Sequence, residues 1–132
     1  MSTEQTAWCI SNRVLRSRRD AKRYLWTPER VLDIISGGPK EVVFERCILE
    51  APALRQIFGL GTKRVLLKDC QLNLRSRLLF PTMVAIDRCH ITLGPRCPGL
   101  EVGSGQTLNM TSSFILREGG SHDTSTIQAQ VA

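Results

Sequence analysis

Three nine-residue segments of this chain superpose on a cysteine: 41–49 reads EVVFERCIL, 64–72 reads RVLLKDCQL and 83–91 reads MVAIDRCHI. A fourth, 107–115, reads TLNMTSSFI and carries Ser113 at the anchor position. Five residues before the anchor stand Val42, Val65, Val84 and Leu108. Three before it stand Phe44, Leu67, Ile86 and Met110, and two after it Leu49, Leu72, Ile91 and Ile115. All are apolar. The anchors lie 23, 19 and 24 residues apart. Residues two apart point to the same face of a strand, so each segment predicts a short strand with one buried face and a turn at the cysteine. A thiol is small and weakly polar and is buried there at little cost. One such unit cannot bury its apolar face alone, whereas units stacked in parallel bury a continuous column.

The charged positions support the same register. Two before the anchor come Glu45, Lys68 and Asp87, and one before it Arg46, Asp69 and Arg88. In a parallel stack both rows alternate in sign, so like charges never meet on neighbouring strands. An exposed pair contributes only ~0–1 kcal/mol, so the rows bear on arrangement more than on stability. Aromatics are 5% of a chain that is 42% hydrophobic and 23% charged, which leaves Leu, Ile and Val to fill the column. A length of 132 residues suits one domain.

Outside the repeat, residues 1–12 are polar and are expected to form a flexible N-terminus. Residues 13–38 predict a basic helical segment, because Val14, Leu15, Ala21, Tyr24, Leu25, Val31, Leu32 and Ile35 recur at roughly helical spacing. Thr27 can cap a second helix over about 28–36, with Pro28 at its first position and Gly37-Gly38-Pro39 as its stop. The repeat domain spans 39–118. The Ser-, Thr- and Gln-rich residues 119–132 predict a disordered tail.

Five cysteines (Cys9, Cys47, Cys70, Cys89 and Cys97) make an odd count with no CxxC pair, unlike a disulfide framework or a zinc ribbon. The opening MSTEQTAWCISNR lacks the basic-then-apolar order of a secretory signal. The expected location is a reducing compartment, cytoplasmic or nuclear. No apolar run approaches the ~20 residues of a membrane span.

The repeat resembles the leucine-rich repeat, L-x-x-L-x-L-x-x-N/C-x-L, over about 39–116. Its second, third and last apolar positions and its cysteine all match, and the likeness is greatest to the cysteine-containing type of F-box-associated and related adaptor proteins. The first leucine does not match: it falls on Pro39, Thr62, Pro81 and Gly105. The 19-residue interval is also short for that family. Residues 51–60 suit a short convex-side helix, but the Gly- and Pro-rich stretch 92–106 does not. These departures bring in the right-handed parallel β-helix, whose coils replace helices with strands and turns and often read V-x-I-x-x-C-x-I. The expected fold class is therefore α/β, a short solenoid of stacked parallel strands of the leucine-rich-repeat kind with N-terminal helices. The alternative is a parallel β-helix with an N-terminal cap helix.

The resemblance implies a non-enzymatic protein-interaction module, with a partner protein held on the strand-lined face. Val43, Leu66 and Ala85 form an apolar middle row there, flanked by Glu45, Arg64, Lys68 and Asp87, a composition that suits a protein contact. The apolar edge expected after residue 116 offers a place for self-association. The alternative is nucleic-acid binding through the basic segment Arg13, Arg16, Arg18, Arg19, Lys22 and Arg23, consistent with a net charge of +6. The same residues also suit a solvated helix face.

No cofactor motif, catalytic set or metal site is expected. Cys89, His90, Cys97 and His122 could supply zinc ligands, but Cys89 is already accounted for by the core and His122 lies in the tail. Asp69, Asp87 and Lys68 could serve as acids and bases, but the alternating charge rows explain them more simply.

Overall fold

A computed structural model describes residues 7–97 and 99–117. The described residues are α/β, built from parallel strands and three short helices. The four repeat segments open with strands β3 (Glu41–Glu45), β5 (Arg64–Lys68), β8 (Val84–Asp87) and β11 (Asn109–Thr111). A further strand, β1 (Ala7–Ser11), joins them, and the five form one parallel sheet in the order β1-β3-β5-β8-β11. Register follows the anchor alignment: Val42 pairs with Val65 and Val65 with Val84, while Phe44, Leu67, Ile86 and Met110 make the next row.

Two residues after each of these strands a second one begins. These are β2 (Val14–Leu15), β4 (Ile48–Glu50), β6 (Gln71–Leu74), β9 (His90–Leu93) and β12 (Phe114–Arg117), which make a second parallel sheet in the order β12-β9-β6-β4-β2. The bend between the two strands has one conformation throughout. Asn12, Arg46, Asp69, Arg88 and Ser112 have φ of 56°, 54°, 53°, 53° and 50°. This is the left-handed region, which costs an ordinary L-residue roughly 1–2 kcal/mol and is easiest for Asn and Asp. The residue one before the anchor is therefore fixed by backbone geometry as well as by charge.

The third side of each repeat varies. In the first it is α1 (Arg18–Leu25) followed by α2 (Pro28–Ile35), and in the second α3 (Ala51–Phe58), against which α1 packs. The next two carry only the two-residue strands β7 (Leu79–Phe80) and β10 (Glu101–Val102), paired in parallel. Ser17 caps α1 by accepting from the Asp20 N–H at 3.1 Å. Thr27 precedes α2 in extended conformation without a side-chain cap, and Pro28 opens the helix.

Two expectations need correction. Residues 7–11 are not a loose N-terminus but strand β1, with Trp8 and Ile10 buried. The segment 13–38 is not helical from its start, since Val14–Leu15 is strand and helix begins at Arg18. The reason is the same in both cases: 7–15 is a first repeat whose anchor is Arg13, paired by position with Cys47. Without the cysteine, and 34 residues ahead of the next anchor, it does not superpose by eye. Residue 118 and the tail expected at 119–132 lie outside the described residues.

The core is the column between the sheets. Val42, Phe44, Leu49, Val65, Leu67 and Leu72 are fully buried, and Val84, Ile86 and Ile91 nearly so.

Candidate functional site

The outward face of the first sheet collects the residues singled out for partner binding. Because side chains alternate along a strand, Val43, Leu66 and Ala85 lie side by side, continued by Cys9 on β1 and Asn109 on β11. Val43, Leu66 and Ala85 are all half-buried. On one side runs Glu41 beside Arg64, whose Nε lies 3.5 Å from Glu41 Oε2. On the other side Glu45, Lys68 and Asp87 are register neighbours. The face is thus an apolar strip between two charged margins.

At the bend the second charge row takes up direct pairing. Arg88 Nε lies 3.1 Å from Asp69 Oδ1 and 3.9 Å from Asp87 Oδ2. Arg46 Nε donates to Asn12 Oδ1 at 3.1 Å, and Thr111 Oγ1 donates to Asp87 Oδ1 at 2.9 Å. These groups extend the margin of the strip along all five repeats, with Asn12 and Thr111 replacing charges at the ends.

The basic segment divides into two groups. Arg13 and Arg16 have structural partners: the Arg13 guanidinium sits over the Tyr24 ring, 5.2 Å from its centroid, and Arg16 Nε lies 3.4 Å from Glu50 Oε2. Arg18, Arg19, Lys22 and Arg23 are all exposed on α1, whose buried face is Ala21 and Leu25. The structure therefore spreads the six candidates over a bend, a loop and a helix.

The anchor cysteines are core residues. Cys70 Sγ donates to the Phe44 carbonyl and Cys89 Sγ to the Leu67 carbonyl, both at 3.3 Å, each reaching the preceding repeat. Cys47 Sγ reaches the Ile10 carbonyl at 3.5 Å. Hydrogen bonding from Cys70 and then burial push the Cys47 thiol well above the ordinary range. At Cys70 the bond with Cys47 pulls downward, but Cys89 and burial outweigh it and raise the thiol to about 12. Both stay protonated at neutral pH, which suits a structural ladder better than a nucleophile. His90 is exposed and its ring stands 5.1 Å from that of Phe114. Among the described residues no three His, Cys, Asp or Glu side chains gather as a metal site.

One feature escaped the sequence. Arg30, from the apolar run PERVLDII of α2, turns inward over the Trp8 ring at 5.0 Å from its centroid. It donates from Nη1 to the Tyr24 carbonyl at 2.5 Å. The signal that could have found it is its isolation as the one cation of α2. Comparisons with protein-family models, curated proteins and solved structures return no match to this chain.

Proposed function

We propose that the chain is a short solenoid of the parallel β-helix kind, working as a non-enzymatic protein-interaction module that holds a partner protein on the outward face of its first sheet. Two strands per repeat, joined by a left-handed residue, favour the β-helix over the leucine-rich repeat, which has one strand per repeat. The observation that carries the function is the half-buried apolar row Val43, Leu66 and Ala85 between charged margins. Protein contacts commonly pair such an apolar centre with a polar rim. A reducing compartment, cytoplasmic or nuclear, would keep the buried thiols free.

The test compares two variants in one binding experiment. Leu66→Glu places a charge in the row and should abolish partner capture while leaving the circular dichroism spectrum unchanged. The triple variant Arg16→Ala, Arg18→Ala, Arg19→Ala should bind the partner as wild type does. The cluster of four cations on α1 supports a second reading, nucleic-acid binding. That reading requires RNA or DNA affinity that falls steeply between low and moderate salt and is lost in the triple variant. Such a result with Leu66→Glu inert would replace the first reading.

A further inference from the structure

The helix-covered end of the stack holds a half-open cavity of about 300 Å³, lined by Cys9, Ile10, Ser11, Arg13, Tyr24 and Arg30. Two guanidiniums are brought to it by one residue. Tyr24 carries Arg13 on its ring and accepts from Arg30 through its carbonyl. Arg30 is further fixed by the Trp8 ring beneath it. Stacking on a ring orients a guanidinium plane and leaves its in-plane N–H groups to donate. Each arginine has five such donors, and the only one bonded within the protein among the described residues is on Arg30 Nη1.

Among the described side chains neither cation has a counter-charge. Ion pairs elsewhere engage Arg16, Arg46, Arg64, Arg77 and Arg88. Among the described residues that line the cavity there is no acid. Elsewhere along the stack, by contrast, charges at the bend alternate and pair. Two unpaired guanidiniums in one partly enclosed space repel each other, and an anion with several acceptor oxygens relieves that repulsion while using the donors bidentately.

We propose that this cavity binds a phosphate monoester group, with Arg13 and Arg30 as its clamp. A dianionic phosphate balances both cations, whereas a carboxylate or a phosphodiester balances one. Ser11 adds a hydroxyl from the same wall. The cavity adjoins the sheet face proposed for a partner protein and shares Cys9 with it. The two proposals rest on different residues, Arg13 and Arg30 here and Val43, Leu66 and Ala85 there, and either can fail without the other.

Cys9 makes the proposal measurable, because it is the one exposed cysteine among the described five and lines the cavity. Its alkylation by a neutral maleimide should slow several-fold in inorganic phosphate relative to chloride at matched ionic strength. In Arg13→Gln, an exposed position whose substitution leaves the Trp8–Arg30 stack in place, the phosphate dependence should weaken about tenfold. Lys63→Gln, an exposed cation outside both the cavity lining and the α1 cluster, should leave it unchanged. A 5′-phosphorylated oligonucleotide should protect Cys9 where its unphosphorylated counterpart does not. Equal protection by both oligonucleotides would show backbone binding and overturn the proposal. Equal alkylation rates in phosphate and in chloride at matched ionic strength, or equal weakening in Arg13→Gln and Lys63→Gln, would overturn it as well.

Discussion

The two ends of the stack carry the same repeat but bury it to different depths. At one end Trp8 and Ile10 belong to an edge strand with a neighbour on one side only, yet they are 4% and 5% exposed. The helices are the reason: Arg30 of α2 lies over the Trp8 ring, and Tyr24 of α1 and Ile34 of α2 pack against the core. At the other end Met110 and Ile115 occupy the inward positions that are fully or almost fully buried in the middle repeats, but here they are only half-buried. Among the described residues nothing packs beyond β11 and β12, and Phe114 on the outward side is 55% exposed. Burial in a stack is thus conferred by the adjoining layer. An equivalent residue is core or rim according to whether a further layer covers it.

That difference predicts a gradient in the cost of truncation. Leu67→Ala, in the middle of the column, should destabilise by about 2–5 kcal/mol in urea unfolding. Met110→Ala at the open end should cost about 1 kcal/mol, since its side chain is only partly withdrawn from water. Lys68→Ala, outward on the same strand as Leu67, should stay within about 0.5 kcal/mol. Equal losses at Leu67 and Met110 would mean that the far end is covered as well as the near one.

A second prediction concerns how the covered end is joined to the stack. Gly38 lies just after α2 with φ of +96°, and a Cβ there would stand 2.5 Å from the Leu60 carbonyl oxygen. The turn after α2 therefore rests directly on the turn after α3, and only a residue without a side chain permits it. Gly38→Ala should cost about 1–3 kcal/mol and raise amide exchange in β1 before β8. Uniform exchange across the sheet would break the link between that turn and the covering helix.

The smallest effect lies on the variable third side, where Arg77 grips Glu101 with both carboxylate oxygens, at 3.2 and 2.6 Å. Hydrogen bonding from Arg77 holds the Glu101 carboxyl below its ordinary 4.5. The pair therefore stabilises the fold above that value, and its contribution fades as pH falls through the lowered one. Both groups are exposed, so Glu101→Gln should lower the melting temperature by about a degree or less at neutral pH. Wild type and variant should converge as acidification carries the Glu101 carboxyl through its lowered value. A difference that persists in acid would assign the effect to packing.

Much of the column was legible because its code is short-range. Val65, Leu67, Cys70 and Leu72 stand at spacings that a strand and a tight bend read directly, and the charges of Asp69 and Arg88 indicated which strands are neighbours. The candidate strip on the first sheet was legible for the same reason, since Val43, Leu66 and Ala85 alternate with core positions. The first repeat was not, because Arg13 occupies its anchor and two helices separate it from the next. The second sheet was hidden as well. Two to four residues, such as Ile48–Glu50 or Gln71–Leu74, are too few to show a period, and whether they pair depends on strands from other repeats.

The sequence by itself determined the inward residues of the repeats, their register and the position of the bend, since alternation and steric limits act within a few residues. Tertiary structure alone decided that each repeat turns into a second sheet, that 7–15 is a repeat, and that one end is covered by α2. It also decided that Arg13 and Arg30, seventeen residues apart in sequence, face one cavity. Those outcomes depend on which surfaces meet across repeats, and packing between distant segments leaves no local spacing to read.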